Sequence, residues 1–249
     1  IADVAEGAAW LEAGRLLLRN NIVANFLDRC ALTVPCHEQG TAPVGLMLMG
    51  ESMGGAVVLA ALAREPALRP DGAILIAPAV WGRKTMDGVK RSALWIAAHT
   101  TPWMELTGRG LGIVPSDNIE MLRALARDPM VIKRTRIDAI WGLVDLMDEA
   151  LAATRRIETP TLVLYGMRDQ IIPRGPTLAM LERMPEADAA RRRVAVYEDG
   201  FHMLTRDLEA DVVLDDILAW IESRLAGDGA APLPSGADRK ALARLRGAE

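Results

Sequence analysis

Residues 44–55 read VGLMLMGESMGG, and residues 56–63 continue as AVVLAALA. An unbroken apolar run bounded by turn residues predicts a buried strand, and the Ala/Leu-rich run after the glycines predicts a helix. Ser52 therefore lies at a strand-to-helix turn, with Gly50 and Gly54 two positions away on either side. This G-x-S-x-G pattern is typical of a nucleophile elbow, in which the serine has a strained backbone and larger residues at the glycine positions would collide with their neighbours. A small-residue turn with an incidental serine is the alternative interpretation.

The composition is that of an ordinary globular protein. Of 249 residues, 51% are hydrophobic and 25% are charged, and the formal net charge is -4 at pH 7. A small negative charge does not indicate nucleic-acid binding, and the sequence has no long basic run that would do so. No stretch is long enough to span a membrane and the N-terminus lacks a signal-peptide pattern, so we predict a cytoplasmic protein. Cys30 and Cys36 are the only cysteines, and we predict two free thiols rather than a disulfide.

Three more buried strands are predicted after the elbow helix. They are residues 73–77, 161–166 and 194–198. Helices are predicted at 176–184 and 210–225, the second with one apolar face. Strands that alternate with helices and are apolar throughout predict a mainly parallel sheet covered on both faces. The predicted fold class is therefore α/β.

A helical insertion is predicted to interrupt this core. Strand signals vanish between Trp81 and Arg156, where residues 118–127 and 137–153 have helical patterns. Such an excursion between two strands is typical of a cap or lid. The predicted units are an N-terminal helix with an irregular insertion (1–43), the core (44–81 and 157–227), the helical cap (82–156) and a flexible tail (228–249).

Candidate partners for Ser52 follow two of the predicted strands. A serine nucleophile needs a base to take its proton, and the base needs an acid to hold its tautomer. Asp169 follows the third strand and His202 follows the fourth. Both therefore lie at the C-terminal edge of the sheet, where ligands gather in open α/β proteins. Asp199 is the competing acid, although it is better suited to cap the turn before Gly200.

Three motifs carry a family resemblance. GESMGG at residues 50–55, TPTLVLYGMRDQIIP at 159–173 and EDGFHML at 198–204 resemble the monoacylglycerol-lipase or lysophospholipase-like (serine aminopeptidase-type) branch of the α/β-hydrolase superfamily. The chain order Ser, Asp, His is the one expected of α/β-hydrolases. The resemblance implies Ser52 as nucleophile, Asp169 as acid, His202 as base and the Met53 backbone N–H as one oxyanion donor. It also implies cleavage of carboxylic esters of glycerol or lysolipids, with no metal and no organic cofactor.

The sequence departs from the family at the second oxyanion donor. In this fold that donor comes from a loop after an earlier strand, commonly introduced by His-Gly. His37 is followed by Glu38, and the residues before the elbow read mostly as helix. We therefore expect the first strands of the family sheet to be absent and the chain alone to be a poor esterase or poorly folded. Losing one oxyanion donor lowers turnover roughly 100- to 1000-fold.

The predicted substrate site lies on the cap. The candidates for an apolar acyl site are Trp95, Trp103, Met104, Trp141 and Leu143, and the cap's own core is the alternative role for each. Peripheral contact with a lipid surface is predicted through the same part of the cap. A non-catalytic lipid- or partner-binding remnant of the fold stays open as a second function. Within enzymes a thioesterase or peptidase also stays open, since the elbow does not choose the leaving group.

Overall fold

A computed structural model describes residues 47–65, 67–108, 112–186, 188, 190–227 and 229–247. The predicted N-terminal helix and irregular insertion, with Cys30, Cys36 and His37, lie outside these described residues.

A parallel sheet forms the centre of the described chain. Its strands, in the order in which they pair, are β1 (Met47–Glu51), β2 (Gly72–Ile76), β5 (Thr161–Gly166) and β6 (Arg192–Tyr197). All three neighbouring pairs are parallel, so the C-terminal ends of the strands meet at one edge. The predicted α/β fold class is confirmed.

Alternating side chains divide this sheet into two buried faces. In β2, Ala73 and Leu75 join one hydrophobic cluster, whereas Ile74 and Ile76 join the other. Every residue of β2 and β5 is buried, as expected of a parallel sheet that is covered on both sides. The continuous apolar runs in the sequence therefore predicted these strands closely.

Helices cover both faces of the sheet. The buried cluster on the first face includes residues of α1 (Met53–Arg64), α4 (Ile137–Ala153), α5 (Arg174–Arg183) and α7 (Ala241–Arg246). The second face packs against α6 (Ala210–Leu225). The indole of Trp220, on α6, lies so close to β2 that a Cβ atom at Gly72 would come within 2.8 Å of it. Glycine at the start of β2 thus permits this helix to dock.

The segment between β2 and β5 contains α2 (Gly88–Thr100), α3 (Ile119–Arg127) and α4. A short antiparallel pair that the sequence did not predict, β3 (Glu105–Leu106) and β4 (Thr135–Arg136), ties the segment together. The sequence assigns α4 to the cap, but in the structure this helix packs in the core. Val144, Met147 and Leu151 on α4 belong to the same buried cluster as Leu59 on α1. An apolar stripe does not reveal its partner, and here that partner is the elbow helix.

Residues 229–247 also differ from the prediction of a flexible tail. Leu233 and Ala237 are buried on the α6 face of the sheet, and Ala241 and Leu245 are buried on the opposite face. Between these pairs the chain crosses the edge strand β6, where the Val196 N–H donates to the Ala237 carbonyl over 2.9 Å. An edge strand exposes unpaired backbone groups, so covering β6 gives this polar, Gly- and Pro-containing segment a fixed place.

Replacing Leu245 with alanine tests this packing. The side chain is fully buried, with 0% exposed, so Leu245→Ala is expected to lower the free energy of unfolding by about 2–4 kcal/mol. Leu225→Ala is the matched control, because that leucine is 55% exposed, and a change within about 0.5 kcal/mol is expected. Urea unfolding of both variants measures the difference. Equal, small effects would mean that the tail does not pack in solution.

Candidate active site

Ser52 occupies a sharp turn between β1 and α1. Its backbone has φ 52° and ψ -117°, a strained conformation for a residue with a side chain. Gly50 is required beside it, because a Cβ atom there would lie 2.3 Å from the backbone of Gly54. The Ser52 N–H donates to the Ile76 carbonyl at the end of β2 over 2.8 Å. The turn has the geometry that the G-x-S-x-G pattern predicted, and it is held against the sheet.

Asp169 and His202 form a buried pair at the same edge of the sheet. The imidazole Nδ1 lies 2.8 Å from Asp169 Oδ2, and an ionised carboxylate can only accept, so Nδ1 donates and Nε2 of the neutral ring is left as the acceptor. The other carboxylate oxygen accepts from the N–H groups of Ile171 and Ile172, over 2.7 and 2.9 Å. These bonds fix the orientation of the Asp169 carboxylate.

Asp199, the competing acid, points elsewhere. Its side chain is 69% exposed and forms an ion pair with Arg168.

The loops that follow β5 and β6 approach each other closely, since a Cβ atom at Gly166 would lie 2.4 Å from the Gly200 carbonyl oxygen. The Arg168 N–H donates to the same carbonyl over 2.9 Å. Gly166, at the end of β5, therefore allows the loop that carries Asp169 and the loop that carries His202 to meet.

Residues 114–118, which lie between β3 and α3, bond to both of these loops. Ser116 Oγ donates to Asp207 Oδ1 over 2.6 Å, and Asp207 Oδ2 accepts from the Phe201 N–H over 2.8 Å. Burial raises the pKa of Asp207, while these two hydrogen bonds oppose the rise. On the other side, the Val114 N–H donates to Gln170 Oε1 over 3.0 Å. The segment thus holds α3 beside the loops that carry Asp169 and His202.

Ser116 lies just before α3 but is not its N-cap. Asn118 has that role, since its side chain accepts from the Met121 N–H over 3.1 Å. A serine hydroxyl can bond to local backbone or to a distant carboxylate, so its partner depends on the tertiary fold.

Ser52, Met53 and His202 line one cavity of about 610 Å³. Met53 is the first residue of α1, and the first N–H groups of a helix have no partner within the helix. The walls are largely apolar. They come mostly from α3, the segment after it and the loops that follow β5 and β6. The remaining lining residues are Glu51, Thr107, Gly108, Pro115, Leu122, Leu125, Ala126, Val131, Ile132, Lys133, Ile171 and Met203.

The five residues predicted for substrate binding do not line this cavity. They are Trp95, Trp103, Met104, Trp141 and Leu143. Trp95 and Trp103 are 54% and 65% exposed, and Leu143 packs against the main core cluster. Trp141 lies under the Arg83 guanidinium, 4.0 Å from the ring centroid.

Three of the apolar residues that line the cavity come from α3. Leu122, Leu125 and Ala126 share one face of that helix, at the three- and four-residue spacing of an amphipathic pattern. This spacing is visible in the sequence, whereas the five predicted substrate residues lie on α2, just after it and on α4.

Glu51 is a buried carboxyl group beside Ser52. It is 8% exposed. Burial raises its pKa from 4.5 to about 7, attraction by His202 and Arg206 lowers it, and repulsion by Asp207 and Asp169 raises it. No role was predicted for this residue, although a charged residue at the end of an apolar strand is a visible signal in the sequence.

Comparisons with known proteins place this geometry in a family. A family model described as serine aminopeptidase, S33, matches residues 25–209. The monoacylglycerol lipase of Mycolicibacterium smegmatis is 27% identical over 211 residues, which cover 79% of this chain and 68% of that protein. The monoglyceride lipase of Rattus norvegicus is 28% identical over 196 residues, which cover 77% of this chain and 63% of that protein. The chain therefore spans about two thirds of the length of these relatives.

Solved structures show the same fold. The monoacylglycerol lipase of Paleococcus ferrophilus superimposes with a TM-score of 0.60 at 20% identity, covering 86% of this chain and 76% of that one. A soluble variant of the Saccharomyces cerevisiae monoglyceride lipase, in complex with a substrate analog, gives a TM-score of 0.55 at 17% identity. It covers 71% of this chain and 64% of that one.

The parallel sheet, the serine turn and the loops that follow β5 and β6 define an α/β-hydrolase. The family model covers most of the chain. The protein accordingly belongs to the serine aminopeptidase, S33 family, and the resemblance to its monoacylglycerol-lipase-like branch is confirmed. Within the described residues, none of the helices combines the length and the apolar character needed to cross a bilayer.

Glu51→Gln tests the ionisation of the buried carboxyl group through stability. With a native pKa of about 7 against 4.5 for the free group, the native state binds more protons than the unfolded state at intermediate pH. Stability must therefore fall as pH rises through this range. The variant lacks the group, so its free energy of unfolding relative to wild type should rise by about 2–3 kcal/mol from about pH 4 to about pH 8.5.

Urea unfolding at several pH values measures this difference. The exposed Glu65, at the end of α1, supplies the control variant Glu65→Gln, for which a parallel curve is expected. Curves that also run parallel for Glu51→Gln would show that the carboxyl group is not desolvated.

Proposed function

We propose that the protein is a serine hydrolase that cleaves carboxylic esters of lipids, of the monoacylglycerol or lysophospholipid type, through an acyl-enzyme. The observation that carries this proposal is the cavity itself. It is lined by Ser52 and His202 together, and the imidazole is hydrogen-bonded to buried Asp169 behind it. The family and the monoacylglycerol lipases among the relatives support the enzyme class, which is that of a carboxylic-ester hydrolase.

The reaction would follow from the roles of these three side chains. Ser52 Oγ attacks the ester carbonyl while His202 Nε2 takes its proton, and Asp169 stabilises the imidazolium through Nδ1. The Met53 N–H faces the oxyanion that develops. The imidazolium then protonates the leaving alcohol as the acyl-enzyme forms. Water, activated by the same imidazole, releases the carboxylic acid and restores the serine.

The shape and lining of the cavity support a lipid substrate. Leu122, Leu125 and Ile132 present apolar side chains toward the space beside Ser52. Burying the methylene groups of an acyl chain against such walls is favourable by about 0.8 kcal/mol per group. The monoacylglycerol and monoglyceride lipases among the relatives, by their names, act on esters of this kind.

Peptide hydrolysis is the second candidate, because the family description is that of an aminopeptidase. A panel of monoacylglycerol, lysophospholipid, acyl-CoA and aminoacyl amide substrates separates the possibilities, thioesterase included. The apolar walls favour the two lipid esters over the aminoacyl amide. A higher kcat/KM for the amide would reverse the assignment of substrate class.

Turnover depends on a second oxyanion donor. In this fold it comes from a loop that precedes the elbow strand, and the chain before Met47 lies outside the described residues. A hydrolase of this fold that lacks that donor turns over its ester roughly 100- to 1000-fold more slowly. A non-catalytic lipid- or partner-binding remnant is the extreme form of this impairment.

Labelling with a fluorophosphonate probe tests the nucleophile. Wild-type protein should be labelled, and Ser52→Ala should lose both the label and any ester turnover, because the attacking hydroxyl is removed. Ser92→Ala, on the exposed side of α2, is the matched control and should keep both. Peptide mapping identifies the labelled serine. A folded wild-type protein that stays unlabelled would establish the remnant instead.

Contact with a lipid surface is a further part of the proposal. Trp95, Ile96 and Trp103 are each more than half exposed on and just after α2, and exposed apolar clusters mark interaction sites. The double variant Trp95→Ser, Trp103→Ser should reduce flotation with anionic vesicles severalfold. Leu225→Ser removes an equally exposed side chain from α6 and should leave flotation unchanged. Wild-type protein that stays at the bottom of the gradient would contradict the contact.

A further inference from the structure

Glu51 stands where the strand pattern requires an apolar residue. Side chains alternate along β1, and Met47 and Met49 pack against the cluster that contains Ile76 and Leu204. Two residues on, Glu51 has the same orientation. Its carboxyl group is therefore directed to the side of the sheet beneath the histidine loop. A charge in such a place is costly unless neighbouring groups compensate for it.

The charged groups around Glu51 come from three neighbouring segments. His202 and Asp207 lie on the loop after β6, Arg206 lies on the short helical turn Leu204–Arg206, and Asp169 lies on the loop after β5. Glu51 and His202 also line the same cavity as Ser52.

Two of these neighbours are already held by other bonds. Asp169 accepts from His202 and from two backbone N–H groups. Asp207 accepts from Ser116 and from the Phe201 N–H. Both carboxylates thus have fixed partners, and His202 is the group near Glu51 whose charge changes during acyl transfer. Burial raises the pKa of Glu51 to about 7, so its own charge changes near neutral pH.

We propose that ionised Glu51 is a positioning residue that stabilises the imidazolium form of His202 during hydrolysis, so that catalysis strengthens as this carboxyl group loses its proton. The inference rests on the proposed function. When the proton moves from Ser52 Oγ to His202 Nε2, a positive charge appears beside Glu51 in a site of low dielectric. A carboxylate attracts that charge, whereas the protonated acid does not. Glu51 gains and loses only its own proton, and no bond to substrate is involved.

The experiment compares kcat/KM for a short p-nitrophenyl ester across pH in wild type and in Glu51→Gln. The amide cannot ionise, so the ratio of wild type to variant should be near 1 at about pH 5.5 and about three- to tenfold at about pH 8.5. The change should appear in kcat rather than in KM, because the imidazolium forms only after substrate binds. Glu51→Asp keeps the charge and should keep the rise, which guards against a Gln variant that folds poorly. Exposed Glu65→Gln should give a ratio near 1 throughout.

A ratio that is the same at every pH would overturn the inference, since a purely structural carboxyl group lowers activity uniformly. A rise that is also lost in Glu51→Asp would do the same. Fluorophosphonate labelling separates this failure from that of the proposed function. Labelled wild type with a flat ratio contradicts the role of Glu51 alone. Unlabelled wild type contradicts the hydrolase and, with it, the role of Glu51.

Discussion

A hydrogen bond between the Asp169 carboxylate and the His202 imidazole, 2.8 Å long and buried, is the interaction on which the candidate site depends. It joins the loops that follow two neighbouring strands, so it can form only if β5 and β6 are parallel and in register. The sheet therefore does more than provide a core. It brings an acid and a base, separated along the chain, to the edge at which the serine turn already lies.

Around this pair the fold leaves little freedom. Glycines permit the close approaches, at Gly50 within the elbow and at Gly166 between the two loops. Residues 114–118 then bond to both loops, through Gln170 on one side and Asp207 on the other. These bonds position the helix that follows, α3, which supplies part of the apolar wall of the cavity that Ser52 lines.

Much of this arrangement was predictable from local sequence patterns. Apolar runs gave the strands, and the helix over Ala210–Leu225 was predicted with its observed bounds. Ser52, Asp169 and His202 each follow a predicted strand, which indicated one edge of the sheet because the C-terminal ends of parallel strands share that edge. Local patterns failed where the outcome depended on which surfaces meet. Leu245 looked like part of a polar tail but is buried beneath β6. Trp95 on α2 and Trp103 just after it looked like a binding wall but are more than half exposed.

Glu51 illustrates the same limit from the other side. Its identity is plain in the sequence, but its burial and its neighbours His202 and Arg206 follow only from the packing of the histidine loop over β1. Residues of this kind, polar side chains in otherwise apolar positions, break the local pattern and are expected to concentrate at functional sites.

A crystal structure of the protein after reaction with a fluorophosphonate tests the central claim most directly. We expect phosphorus bonded to Ser52 Oγ, with His202 Nε2 directed toward the adduct and within hydrogen-bond reach, about 3 Å, and with Asp169 still bonded to Nδ1. An adduct on another residue, or an imidazole turned away from a modified Ser52, would contradict the account.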